Sequence, residues 1–165
     1  MPDTYSNFFL ASAGASAAFI GLLFVALTIA KQEQRDDRTR TRRQSLAASS
    51  FALLLDAFFV SLSGLAADIY VFASISLGVA AFGLLVTSRH LPRAIRSGNL
   101  SRGASARTVN ILLPTTSILT YVLQLVFATG VLLYPHNSDL LRLSVLVSLG
   151  LYGGALARAW EITKT

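Results

Sequence analysis

The sequence predicts an all-α integral membrane bundle of five transmembrane helices, with its N-terminus outside and its C-terminus cytoplasmic. Three observations lead there. The chain is 53% hydrophobic and only 13% charged, where soluble domains carry about 25% charged residues. Its charges are bunched into basic clusters between long uncharged stretches, the layout of loops between spans. Finally, one arrangement satisfies every loop. With both basic segments and the C-terminal tail in the cytoplasm, all of the 14 Lys and Arg residues except Arg142 lie inside. That agrees with the positive-inside rule and requires an odd number of spans. A soluble fold of 165 residues would have to hide four or five helices that are hydrophobic all round. A chain this short has too much surface to do so.

The chain reads as one transmembrane domain over residues 1–165. The segment from Met1 to Asn7 carries Asp3 and no Lys or Arg, and the apolar run after it is too long for a signal-peptide core. That run is therefore expected to be a retained first span, residues 8–30. Small residues recur in it at Ala13, Ala17 and Gly21, the spacing that lets two helix backbones approach closely. Residues 31–45 form a basic cytoplasmic loop or short helical extension with Lys31, Arg35, Arg38, Arg40, Arg42 and Arg43. The stretch from Ser45 to Ser88 is too long for one span. It divides into spans 46–65 and 69–87, joined by a turn near Ser63 to Asp68, so that these two helices form an antiparallel hairpin. Asp68 is expected to cap the helix that follows it.

Residues 88–110 form the second basic cytoplasmic loop, with Arg89, Arg93, Arg96, Arg102 and Arg107. Pro92, Gly98 and Gly103 are expected to break any long helix there, leaving at most a short amphipathic piece around His90 to Ile95 in the headgroup plane. The fourth span covers residues 111–133, with Pro114 near its start, and Tyr134-Pro135 ends it. The fifth covers 140–157. It contains the GxxxG pattern Gly150 to Gly154, and Arg158, Trp160 and Lys164 are expected to anchor the tail at the interface.

Composition narrows the function classes. The net charge is +6, but the basic residues lie in loops where topology already accounts for them. No nucleic-acid partner is expected, and anionic lipid is the expected counter-charge, at about 1 kcal/mol per well-placed Lys or Arg. The absence of cysteine excludes disulfides and thiol chemistry. His90 and His136 fall in opposite loops, so they cannot share a metal. No cofactor is implied. An intramembrane enzyme would need at least two convergent reactive groups, and a single acid stands inside the spans. The chain is therefore expected not to be an enzyme.

That acid is Asp56, in the middle of Leu53-Leu54-Leu55-Asp56-Ala57-Phe58-Phe59. A charged Asp at mid-membrane costs about 2.5–3.5 kcal/mol on insertion scales, so it should face protein or water. A carboxyl held there can relay protons or coordinate a cation. Ser49, Asp56 and Ser63 recur every seven residues and share one helix face. Ser117, Tyr121 and Gln124 form a comparable stripe on the fourth span, and residue counting puts Asp56 and Gln124 within roughly 5 Å in depth. Ser144, Ser148 and Tyr152 make a weaker stripe on the fifth. The bland alternative is a neutral hydrogen-bonded clamp between helices, worth about 0.6 kcal/mol on average. The cluster Arg35, Arg38, Arg40, Arg42 and Arg43 offers either lipid contact or an electropositive vestibule at the cytoplasmic mouth.

The first span, from Ala13-Gly14-Ala15-Ser16 through Gly21-Leu22-Leu23-Phe24-Val25-Ala26-Leu27-Thr28, resembles a group of small uncharacterised bacterial multi-pass membrane proteins. They open with a similar small-residue run, a GLLFVALS-like segment and a charged loop. The resemblance implies a bacterial inner membrane and implies no activity. Two functional readings follow from the residues themselves. One is a small oligomeric channel or transport protein that permeates ions or protons past Asp56, with copies of the chain as its partners. The other is a non-transporting interaction protein, such as an accessory subunit, assembly factor or sensor, whose protein partner the sequence does not identify.

Overall fold

A computed structural model describes residues 5–30, 37–66, 68–98 and 104–163, with side-chain surroundings for 5–28, 46–66, 68–89, 112 and 114–160. Among these, five helices account for nearly all of the chain: α1 (Ser6–Ala30), α2 (Asp37–Ala66), α3 (Ile69–Gly98), α4 (Ala104–Leu133) and α5 (Ser138–Thr163). Each contains a stretch long and apolar enough to cross a membrane: Ser6–Thr28, Leu46–Ala66, Ile69–Arg89, Pro114–Leu133 and Ser138–Trp160. In hydrocarbon every backbone polar group needs an internal partner, and a helix supplies one for each within the segment.

The outer surface is unlike that of a water-soluble bundle, and the apolar interior is interrupted by polar groups. Large apolar groups point outward on every helix, among them Phe24 at 70% exposure, Phe59, Phe82, Leu119 and Leu146. The interior holds Ser16, Ser50, Asp56, Ser61, Ser76, Ser117, Gln124 and Arg158. A contiguous apolar exterior of this extent would aggregate in water and is the ordinary outer surface of a protein dissolved in lipid. The chain is a multi-pass membrane protein.

The turns are tight because local residues satisfy the helix ends. The α2–α3 connection is two residues long. Asp68 stands at the N-cap of α3: its carbonyl accepts from the Phe72 amide at 2.9 Å, and its Oδ1 accepts from the Ile69 amide at 2.6 Å. At the start of α5, Asn137 Oδ1 accepts from the Asp139 amide at 3.0 Å. Both residue types are strong caps because a short side-chain oxygen reaches the unpaired amides of the first turn.

The basic segments are more helical than expected. Residues 88–110 are expected as a loop and 31–45 as a loop or short helical extension; α2 begins at Asp37, α3 continues to Gly98 and α4 begins at Ala104. Pro92 does not end α3, and the stretch from His90 to Ile95 is a continuation of α3 rather than a separate interfacial piece. A proline removes one donor and crowds the preceding turn. Neighbouring turns still hold their own hydrogen bonds, and beyond the spanning stretch water can satisfy the freed carbonyl. Pro114 likewise falls in the interior of α4, because that helix starts ten residues before it.

Helices α2, α3, α4 and α5 close a ring, each packed on the next and α5 on α2, while α1 packs against α2 from outside. Half of the α2 span is buried against 28% for each of the others, so α2, which packs on α1, α3 and α5, is the most enclosed helix. Two apolar clusters fill it. Near the two turns, Phe9, Val60, Phe72, Leu141 and Val145 pack together. Toward the basic end lies a second cluster that includes Leu53, Leu54, Ala57, Ala80, Tyr121 and Leu151.

Candidate functional site

Asp56 lies on α2, beside Ala57 of one apolar cluster and about one turn from Val60 of the other. Counting 1.5 Å per residue, it is roughly 15 Å from the turn end of α2, and Gln124 is at about the same depth on α4. The side chains meet: Gln124 Nε2 donates to Asp56 Oδ1 at 2.8 Å. The same amide nitrogen lies 3.5 Å from the Ser76 carbonyl on α3. Three helices of the ring thus converge on one amide. Asp56, Ser76 and Gln124 are 1%, 3% and 6% exposed.

The cluster leaves three oxygens over. Asp56 Oδ2, Ser76 Oγ and Gln124 Oε1 are buried with no hydrogen-bond partner among the described residues. Buried polar side-chain atoms are paired in the large majority of cases, so three orphans on three touching residues stand out. All three are oxygens, because both amide protons of Gln124 are directed at Asp56 and Ser76.

Tyr121, one helical turn from Gln124 toward the basic end, is fully buried and within electrostatic reach of both Asp56 and Arg158. Its ring fits because position 83 is a glycine; a Cβ there would overlap the ring. Beyond it, Arg158 on α5 donates from Nη2 to Ser117 Oγ. Arg158 was expected at the interface with Trp160 and Lys164. Instead it is buried at 3% exposure, because its long side chain turns into the ring toward α4. Trp160 is exposed, as an interfacial anchor would be, and Lys164 lies outside the described residues.

The remaining stripe residues do not join the cluster. Ser49 Oγ donates to the Leu46 carbonyl at 2.9 Å and Ser63 Oγ to the Val60 carbonyl at 2.8 Å, each within α2. A hydroxyl that can satisfy itself on its own helix has no need to reach across the bundle. The α5 stripe also points elsewhere. Ser144 and Ser148 bond to α5 carbonyls, and the Tyr152 hydroxyl lies 2.6 Å from both Ser12 Oγ and Ser16 Oγ of α1. Ser12 Oγ is in turn 2.6 Å from Ser61 Oγ of α2. This second polar knot clamps α1 onto α2 and α5. Sequence reasoning missed Ser76, Ser12, Ser16, Ser61 and the inward turn of Arg158. For Ser12 and Ser16 the available signal was their i, i+4 spacing within an apolar span.

Neither glycine of the GxxxG pattern lies against a neighbouring backbone: a Cβ at Gly150 would meet Thr120 at 3.7 Å and one at Gly154 would meet Leu53 at 3.3 Å. His136 and Asp139 are exposed at the turn end. Among the described residues no group of three His, Cys, Asp or Glu side chains is placed to hold a metal. Arg35 and the side chains of Arg38, Arg40, Arg42, Arg43 and His90 lie outside the described residues. Comparison with protein-family models, curated proteins and solved structures returns no match.

Proposed function

We propose that this membrane protein moves small cations or protons through the interior of its own bundle, with Asp56 as the carrier group. The observation that carries this reading is an acid in mid-span, buried among three helices, with no ion-pair partner among the described residues. Intramembrane acids are expensive and concentrate on ion and proton pathways. Gln124, Tyr121 and Ser117 extend the polar interior from Asp56 toward the basic end, where Arg158 stands. Ser49 and Ser63 fall out of the pathway because their hydroxyls are spent on α2 itself. In this reading the pathway belongs to one protomer, and no ring of copies is needed to enclose it.

Apolar packing lies on both sides of the acid. That favours a carrier with an occluded site over a permanently wet pore. The positive-inside rule supports a cytoplasmic basic end and an external turn end, and the resemblance of α1 supports a bacterial inner membrane. The arginines at 35, 38, 40, 42 and 43 would then contact anionic lipid or line the cytoplasmic mouth. No catalytic role is proposed.

Flux in proteoliposomes tests the reading. The native protein should carry a sodium or proton current that Asp56→Asn abolishes or alters in selectivity while the fold stays intact. No flux in either protein, across voltage and pH, would turn the assignment to the interaction protein. One observation favours that second reading. Gly14, Ala17 and Gly21 face outward on α1, and no atom lies within 4 Å of a Cβ built at either glycine. A small-residue face on lipid is a docking surface for another helix, including one from a second copy of the chain. Cross-linking through α1 in membranes would show a dimer or a heterologous partner if this reading holds.

A further inference from the structure

We propose that Asp56, Ser76 and Gln124 form an occluded binding site for a single alkali cation, held by oxygen. The inference rests on the transport reading above, and it adds the passenger and the residue set that would bind it.

The donor chemistry selects the ligand class. Gln124 uses its amide nitrogen on Asp56 Oδ1 at 2.8 Å and on the Ser76 carbonyl at 3.5 Å. What remains is a carboxyl oxygen, an amide oxygen and a hydroxyl oxygen, none with a hydrogen-bond partner among the described residues. Hard cations take such all-oxygen sets, whereas softer transition metals prefer nitrogen and sulfur. The chain has no cysteine, and the one histidine with described surroundings, His136, is exposed at the turn end.

Charge selects the valence. A buried charge is tolerated when it is paired, neutralised or bound to a metal. One carboxylate balances one positive charge. The other acids among the residues with described surroundings, Asp68 and Asp139, are exposed near the turn end. A divalent ion would leave a net charge in low dielectric, and a monovalent ion would not. Arg158 does not fill the role, since it reaches Ser117 farther along α4.

Ser76 makes the site testable apart from the fold. Its hydroxyl has no hydrogen-bond partner among the described residues, so Ser76→Ala breaks no side-chain hydrogen bond among them. If the cluster were only a clamp, this change would remove an unsatisfied polar group and leave the protein as stable or more so, with no change in its response to sodium.

The experiment measures radiosodium binding and thermal unfolding of the purified chain in mild detergent. Sodium chloride is compared with choline chloride at equal ionic strength, for the native protein, Asp56→Asn and Ser76→Ala. Sodium should bind near one per chain and raise the melting temperature of the native protein by a few degrees. Asp56→Asn should abolish both effects. Ser76→Ala should fold as the native protein does in choline and bind sodium about tenfold more weakly. Equal melting temperatures in sodium and choline, with no bound radiosodium, would overturn the site and leave water as the occupant of the cluster. The transport reading fails separately. Binding without flux in proteoliposomes would keep the site and remove the carrier role. Flux that depends on Asp56 without sodium binding would keep the carrier, with the proton as passenger, and remove the site.

Discussion

Asp56 and Gln124 show how a single pair sets the chemistry of a membrane interior. The amide donates to one carboxyl oxygen and leaves the other unpaired. Gln124→Leu removes this donor and leaves Asp56 with no described partner. It is expected to destabilise the protein by about 1–2 kcal/mol, near the upper end for interhelical hydrogen bonds in membranes. Asp56→Asn keeps an acceptor for Gln124 and should cost less. Thermal unfolding in detergent distinguishes the two, and a more stable Gln124→Leu variant would show that the bond contributes nothing. The meeting of Asp56 with Gln124 was legible in the sequence, since depth follows from counting residues along helices of fixed rise. The part of Ser76 was not. Its hydroxyl looks like that of Ser49 or Ser63, and only the neighbours of α3 separate an unpartnered hydroxyl from one bonded to its own helix.

At the scale of elements, close packing depends on a few glycines that face rings. A Cβ at Gly64 would lie 2.7 Å from the Phe9 ring, which is fully buried, and one at Gly83 would overlap Tyr121. Gly64→Ala and Gly83→Ala are each expected to cost about 1–3 kcal/mol by overpacking. Gly78→Ala, with open space around it, should be neutral or stabilising by up to about 1 kcal/mol through helix propensity. Melting temperatures of the three variants test this ranking. The α1 clamp makes another expectation. Tyr152→Phe loses the hydroxyl that meets Ser12 and Ser16, and should cost about 1 kcal/mol and raise the rate at which α1 is cross-linked or cleaved. An unchanged rate would mean that the Tyr152 hydroxyl contributes nothing to holding α1. The extent of the spans was legible in the hydropathy. The helical continuation through Pro92 was not, because turn statistics describe an isolated segment while α3 arrives there already nucleated.

For the whole molecule, the four helices between Tyr5 and Asn137, an even number, place these two residues at the same end of the bundle. Labels at these two positions should react from outside intact cells or right-side-out vesicles, and one at Arg40 only from inside. Reaction of Tyr5 and Asn137 from opposite sides would defeat the five-span topology. The membrane character and the number of helices were determined by sequence alone, because hydrophobicity adds up along the chain and a span needs only length and few charges. Asp56 also announced itself, since an acid in an apolar run is costly wherever the run packs. The tertiary structure decided the rest. It made α2 the most enclosed helix, turned Arg158 inward, sent Tyr152 to α1 and brought Ser76 to Gln124. These depend on how each helix is rotated about its axis and which helices are neighbours. Such quantities are set by packing between segments far apart in the chain, and one-dimensional periodicity does not contain them.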